Sequence, residues 1–242
     1  MKDQYIADIG DYGKYSLLRA FIKAGEKVGI NWYLTDDDGT SDGKFTDYLY
    51  DDTRRSLRRY DPELFDALKE IKALDRSVQG IELSGILGDT VFYNRRMIFE
   101  GTSKERLNQR AEWHLAAMEQ LSGVDLVYLD PDNGLKSSVA TSKAAGKYVY
   151  ASEIEGYYEE HNVVFYCHKG RRTTKEWERY KAKVPKLLPG AKPVVLTYHK
   201  GTQRSYIFLI HPKDYDRYRK ILDSFLKRWG EVFTEETIED FF

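Results

Sequence analysis

The chain has 242 residues, a formal net charge of −1, 41% hydrophobic and 14% aromatic residues, and one cysteine, Cys167. These values exclude a disordered chain, a strongly basic nucleic-acid-binding protein and a secreted domain held together by internal disulfides. No stretch reaches the roughly 18 apolar residues of a membrane span, and the N-terminus lacks the apolar run of a signal peptide. We therefore expect a cytoplasmic protein that does not contact a membrane.

Strand-like and helix-like patterns alternate along the chain and predict an α/β fold. Helices are expected over residues 11–25, 61–72, 103–121, 150–160, 173–187 and 213–229. Strands are expected over residues 30–34, 78–83, 90–96, 124–129, 162–167, 193–198 and 206–210. The alternation predicts one domain over residues 1–242 with a mainly parallel central sheet, helices on both faces and a polar excursion at about 38–60. The short turn at 201–204 predicts an antiparallel last pair of strands.

Chemically active residues follow three of these strands. One strand runs into Asp130–Gly134, and two others end in the similar tripeptides His168–Gly170 and His199–Gly201. Ligands of open α/β sheets bind at the carboxyl ends of the strands. The sequence therefore predicts one functional site that these strand ends share.

The turn that begins at Asp130 carries the residues with the clearest chemical potential. Pro131 and Gly134 make it a stiff, sharp turn, which is also what an ordinary turn cap requires. The carboxylates of Asp130 and Asp132 can activate water or stabilise a developing positive charge. The amide of Asn133 can read the polar edge of a nucleobase.

Basic and aromatic residues surround the predicted site. They either form a rim that binds the ligand or belong to ordinary solvent-exposed turns. A phosphate-binding rim is expected from Lys169, Arg171, Arg172, Lys200 and Arg204. Stacking on a base is expected from Tyr128, Tyr166 or Tyr198. His168 or His199 can act as an acid or as a neutral hydrogen-bond donor. No metal site is expected, although Asp36–Asp38 and Asp130–Asp132 together leave a metal-dependent nuclease as a weaker alternative.

The turns Asp130-Pro131 and His211-Pro212, each after a strand, resemble the uracil-DNA-glycosylase superfamily. In that superfamily the Asp-Pro carboxylate positions water near the sugar, and a His-Pro turn supports the DNA. The resemblance covers about residues 124–212 and implies substrate contact by His211, base reading by Asn133, and no cofactor. The chain differs in having Asp132-Asn133 where the better-known members have an aromatic residue and a histidine.

The Asp130 turn also resembles the Asp-Pro-Pro-aromatic motif of N6-adenine methyltransferases, especially those that act on ribosomal RNA. The strand order after that motif is similar, and the helix near 10–18 and the strand near 30–34 have counterparts. This resemblance implies S-adenosylmethionine as cofactor. The chain lacks the aromatic residue that stacks on the target base, and no glycine-rich turn follows Leu34.

Both resemblances imply chemistry on a nucleobase. Because the cofactor loop is missing, we expect a cofactor-independent DNA glycosylase that flips its target nucleotide into the site, in repair or in defence against foreign DNA. The alternatives are a methyltransferase acting on DNA or RNA, and a non-catalytic nucleic-acid-binding protein with a methyltransferase-like fold.

Overall fold

The structure is a computed structural model that describes residues 1–40, 43–51, 53, 56–136, 139–170, 172–183 and 188–237. Its strands are β1 Val28–Asn31, β2 Val91–Tyr93, β3 Leu126–Leu129, β4 Leu135–Lys136, β5 Val149–Tyr150, β6 Asn162–His168, β7 Lys192–Tyr198, β8 Arg204–Ile210 and β9 Phe233–Glu236. Its helices are α1 Ile9–Lys23, α2 Pro62–Leu74, α3 Val78–Leu83, α4 Ser103–Gln120, α5 Ala151–Tyr158, α6 Thr174–Lys181 and α7 Tyr215–Trp229.

A seven-stranded sheet with the order β2-β1-β3-β6-β8-β7-β9 forms the centre of the fold. Strands β2, β1, β3 and β6 pair in parallel, whereas β8 pairs antiparallel with both β6 and β7, and β9 pairs antiparallel with β7. The predicted α/β fold with its antiparallel last pair is therefore confirmed. The carboxyl ends of β1, β3, β6 and β7 lie at one edge of the sheet, beside the amino end of β8.

Two hydrophobic layers cover the two faces of the sheet. Side chains alternate along β3, so Leu126 and Tyr128 pack with α1, α2, α3 and α7, while Val127 and Leu129 pack with α4, α5 and α6. This alternation follows from the two-residue period of a strand and makes β3 buried on both faces. None of the described helices is both long and apolar enough to cross a lipid bilayer.

Local sequence explains most helix starts. Asp61 caps α2 by accepting from the Leu64 amide at 3.2 Å, with Pro62 at the first helical position. Thr102 and Glu105 form a reciprocal capping box at the start of α4. Asp8 caps α1, and this helix starts two residues earlier than expected.

Several elements differ from the expectation. Residues 78–83 form helix α3 and not a strand, because Ser77 caps the segment and the buried Val78 and Ile81 are three residues apart. The strand expected at 30–34 is Val28–Asn31. The short sheet of β4 and β5 and the edge strand β9 were not predicted. The helix expected over 173–187 ends at Lys181, and residues 184–187 lie outside the described residues.

Candidate functional site

A cleft of about 770 Å³ lies where β3 and β6 end. The turn Asp130–Asn133 forms its floor, and Tyr166 and His168 of β6 form one wall. The first residues of the chain, the start of α1 and the start of β8 also line the cleft, as do Phe45 and Lys147. The cleft therefore occupies the position where open α/β sheets bind their ligands, and its volume suits a ligand of nucleotide size.

Asp130 is buried in the floor of this cleft and paired with a lysine. Lys14 Nζ lies 2.8 Å from Asp130 Oδ2, and Tyr128 donates its hydroxyl to Asp130 Oδ1 at 3.1 Å. Burial lowers the pKa of Lys14, but Asp11 and Asp130 outweigh burial and raise this pKa above its usual value. With its side chain only 6% exposed, the carboxylate is held in a fixed, charge-compensated position.

Asp11 shares Lys14 with Asp130. Its Oδ1 lies 2.8 Å from Lys14 Nζ, and its Oδ2 accepts from the Ala7 amide at 3.0 Å. Burial raises the pKa of Asp11 to about 6, with Lys14 opposing the shift and Asp8 adding to it. Asp11 therefore takes up a proton at a higher pH than an ordinary aspartate does.

The α-amine of Met1 lies between the ends of β1 and β3. It donates to the carbonyls of Tyr33 at 3.0 Å and Asp130 at 3.1 Å, and it lies 2.7 Å from Asp132 Oδ1. The chain passes from β1 to β2 on one side of this pair and from β3 toward β6 on the other side. The gap between the ends of β1 and β3 is therefore the topological switch point of the fold. Met1 thus lies in the crevice that a Rossmann-type cofactor would use.

Of the two carboxylates in the turn, Asp132 makes fewer hydrogen bonds than Asp130. Its side chain is 5% exposed, and neither oxygen accepts a hydrogen bond of good geometry from the described residues. Its charge is compensated by the Met1 α-amine, with Lys2 Nζ further away at 4.0 Å. Both oxygens are shielded from solvent, and the nearest described cation to them is the Met1 α-amine.

Backbone conformations that are rare for non-glycine residues occur on both sides of the cleft. Tyr33, just after β1, has φ 47°, and Ala7, just before α1, has φ 61°. Such conformations cost about 1–3 kcal/mol each and concentrate at functional sites. Gly134 has φ 87°, and a Cβ there would lie 2.5 Å from Cys167 Sγ, so the Asp130 turn requires glycine to pack on β6.

His168 and Asn133 both line the cleft. His168 Nδ1 is buried without a hydrogen-bond partner among the described residues. Burial lowers the pKa of His168, and the nearby guanidinium groups of Arg172 and Arg204 lower it further, so the imidazole is neutral at pH 7. The carboxamide of Asn133 is half-buried and makes no hydrogen bond with any described residue.

The burial of His168 predicts a pH-dependent stability. The folded-state pKa lies below the usual value of 6.5, so the unfolded chain takes up the proton first as the pH falls. This contribution to stability is present above pH 6.5 and is lost as the pH falls through the folded-state pKa. In urea titrations at about pH 8 and about pH 5, we expect the wild type to lose more stability on acidification than His168→Gln. Equal losses in the two proteins would contradict a lowered pKa of His168 in the folded state.

The structure brings only part of the predicted site together. Asp130, Asp132, Asn133, Tyr166, His168, Lys169 and Arg204 line the cleft. Tyr128 and Tyr198 are fully buried and so cannot stack on a ligand. Arg204 is committed to the fold, because its guanidinium lies 3.2 Å from Asp8 and donates to the carbonyls of Lys200 and Thr202.

Other predicted residues lie elsewhere. His199 is exposed and bonded to Thr234 Oγ1 at 2.7 Å, and neither it nor the exposed Lys200 lines the cleft. His211 follows an antiparallel strand, so it lies at the opposite edge of the sheet, stacked on Tyr158 at 4.1 Å. Arg172 lines a neighbouring groove, and Arg171 lies outside the described residues.

Sequence reasoning missed the half of the cleft that comes from the N-terminus. Lys14, Asp8 and Asp11 were not among the predicted site residues, although a lysine on the apolar face of α1 was a signal of a buried ion pair. It also missed Phe45, an aromatic residue at the cleft that is 59% exposed. The Phe45 carbonyl accepts from the Ile9 amide at 2.9 Å, which fixes this segment against α1.

No protein-family model matches the chain, and no curated protein is similar enough in sequence to count as a relative. Among the residues that the structure describes, no group of three or more His, Cys, Asp and Glu side chains is arranged to hold a metal ion. The chemistry of the cleft is therefore the guide to the function of the chain.

Proposed function

We propose that the chain is a cofactor-independent hydrolase that removes a nucleobase from DNA by breaking its N-glycosidic bond. The observation that carries this proposal is the cleft itself, where Asp132, Asn133, Tyr166 and the neutral His168 meet at the end of β3 and β6. The reaction needs a negative charge near the sugar, which Asp132 carries, and an amide that bonds to the base edge, which Asn133 supplies. It also needs an aromatic surface, here Tyr166, and a hydrogen-bond donor, here His168.

The proposed reaction uses one water molecule. The bond between C1′ and the base nitrogen breaks with its electron pair passing to the base. Water adds to C1′ and loses one proton, which the departing base takes up, so the products are the free base and an abasic sugar. The Asp132 carboxylate stabilises the positive charge on the sugar, as carboxylates do in glycoside hydrolysis. His168 donates a hydrogen bond to the departing base, and Asn133 contacts the base edge. Asp130, tied to Lys14 and Tyr128, positions the turn.

A methyltransferase is the second candidate, favoured by the order of the last strands. Strand β8 lies antiparallel between β6 and β7, which is the arrangement that the methyltransferase resemblance implies after its motif. The residues present do not fit S-adenosylmethionine, however. No glycine occurs between Asn31 and Asp38, and the Met1 α-amine lies at the switch point between β1 and β3. We derive no methyl-transfer step from this site.

The test is incubation of the protein with a set of DNAs, including modified phage DNA, followed by an assay for released bases and abasic sites. We expect release without added metal or cofactor, and much less release by His168→Gln. Thermal stabilisation by S-adenosylmethionine with no base release would favour the methyltransferase. Strand cleavage that a chelator stops would favour a nuclease, and oligonucleotide binding without any turnover would favour a non-catalytic binder.

Phe45 is expected to contribute to DNA binding. Replacing Phe45 with alanine should weaken binding of a single-stranded oligonucleotide by about 1–3 kcal/mol, because an exposed ring at the cleft can stack on a base. The free energy of unfolding should change by less than about 0.5 kcal/mol, since the ring is mostly in water. Fluorescence anisotropy and urea titration measure the two quantities.

The matched control for this variant is Leu74→Ala. Leu74 is also exposed, at 78%, but it ends α2 and does not line the cleft. We expect its affinity to equal that of the wild type. If Phe45→Ala and Leu74→Ala bound the oligonucleotide with equal affinity, Phe45 would not be part of the binding surface.

A further inference from the structure

A second, more open groove of about 560 Å³ adjoins the cleft. We call it the α6 groove, and it is lined by His168, Gly170, Arg172, Glu176, Arg179, Tyr180 and Lys183. His168 and Gly170 line both the groove and the cleft, so the two are continuous at the end of β6. A polymer that places one unit in the cleft can therefore continue along α6.

Among the described residues, the cations of the α6 groove make no close ion pair, although Glu176 attracts Arg172 and Arg179 at longer range. Arg172, Arg179 and Lys183 have no carboxylate within 4.0 Å among the described residues. Arg179 lies on α6, Lys183 lies just after the end of this helix, and both are exposed. The one acidic side chain of the lining, Glu176, is bonded to the backbone and hydroxyl of Thr173 in the capping box of α6. An anionic ligand would relieve this excess of positive charge.

Arg172 is held in place before any ligand binds. Its guanidinium lies 4.8 Å from the ring centroid of Tyr180, and its NH1 group donates to the carbonyls of His168 and Lys169. Tyr180 is itself fixed, because its hydroxyl accepts from the Leu135 amide at 2.8 Å. The Nε and NH2 groups of Arg172 bond to no described residue, so they are free for the planar, bidentate contacts that arginine makes with phosphate.

We propose that the α6 groove binds the phosphodiester backbone of a single DNA strand next to the nucleotide held in the cleft. This inference rests on the proposed function, because the cleft is taken to hold one nucleotide of the same strand. Arg172 contacts the phosphate nearest the cleft, and Arg179 and Lys183 contact the phosphates that follow along α6. Such contacts position the strand and carry no base specificity.

The test is the salt dependence of binding to a fluorescein-labelled single-stranded oligothymidylate, measured by anisotropy with no turnover required. We compare the wild type with the double variant Arg179→Gln/Lys183→Gln. Each phosphate contact of a single strand contributes a slope of about 0.7 in a plot of log affinity against log salt. We therefore expect the slope to become less steep by about 1.4 in the double variant, with a lower affinity at low salt.

The control variant is Lys104→Gln/Lys227→Gln, which removes the same charge from exposed sites on α4 and α7. We expect its slope to match the wild type. Three results would overturn the proposal. The slope could be equally reduced in both double variants, it could be unchanged in Arg179→Gln/Lys183→Gln, or the wild type could fail to bind the oligonucleotide. Binding through the groove without base release from any DNA would contradict the hydrolase alone, so the two proposals fail separately.

Discussion

Replacing Lys14 with methionine is expected to lower the free energy of unfolding by about 3–5 kcal/mol. Lys14 Nζ lies 2.8 Å from both Asp11 and Asp130, and all three side chains are almost completely buried. Methionine keeps the length of the side chain but leaves two carboxylates in the core without their cation. Urea titration near pH 7 measures the loss. For a domain with a free energy of unfolding of about 5 kcal/mol, the loss would exceed half of the total stability.

Two further variants show whether the loss comes from buried charge. Arg58→Met breaks an ion pair with Asp66 in which both side chains are 53% exposed, and we expect it to cost about 0–1 kcal/mol. The double variant Lys14→Met/Asp130→Asn should recover part of the loss, because it removes one of the uncompensated carboxylates. A cost for Lys14→Met no larger than that of Arg58→Met would mean that the pairing is not structural.

The largest effect on activity is expected from His168. Replacing it with glutamine should lower the rate of base release by about 10²–10⁴-fold, the usual contribution of a positioned proton donor or hydrogen-bond donor. The fold should be little affected, because the His168 Nδ1 group already lacks a partner and the ring is only half-buried. Single-turnover assays at saturating enzyme separate this loss of rate from a loss of binding.

His199 supplies the matched control, because it belongs to the same His-Lys-Gly tripeptide at a neighbouring strand end. Its imidazole is exposed and bonded to Thr234, away from the cleft. We therefore expect His199→Gln to release bases at the wild-type rate. If His168→Gln and His199→Gln changed the rate of base release equally, the position of His168 in the cleft would make no difference. That result would contradict a chemical role for His168.

Local signals in the sequence were enough to predict most of the elements. The pairs Asp61-Pro62 and Thr102 with Glu105 mark helix starts because capping satisfies free amides of the first turn, an interaction within four residues. Strands β3, β6 and β7 were recognised because both of their faces are apolar. Residues 78–83 were assigned wrongly because a six-residue segment with two buried positions fits either period.

The elements that were missed are those stabilised by distant partners. Strand β9, Phe233–Glu236, is paired only with β7, and its sequence includes the polar residues Thr234, Glu235 and Glu236. Strands β4 and β5 have two residues each and depend on pairing with each other. Such short strands have no pattern of their own, so they cannot be read from local sequence.

The sequence by itself determined that the chain is an α/β protein and that Asp130–Asn133 and His168 follow buried strands at one edge of the sheet. Only the tertiary structure decided what these residues contact. Lys14 reaches Asp130 across 116 residues, and Asp8 meets Arg204 across 196, so neither pair leaves a local pattern. His168 and His199 have the same local sequence, yet one faces the cleft and the other faces solvent. The reason is that burial, charge compensation and pKa depend on side chains brought together by packing, whereas a sequence pattern reports only neighbours along the chain.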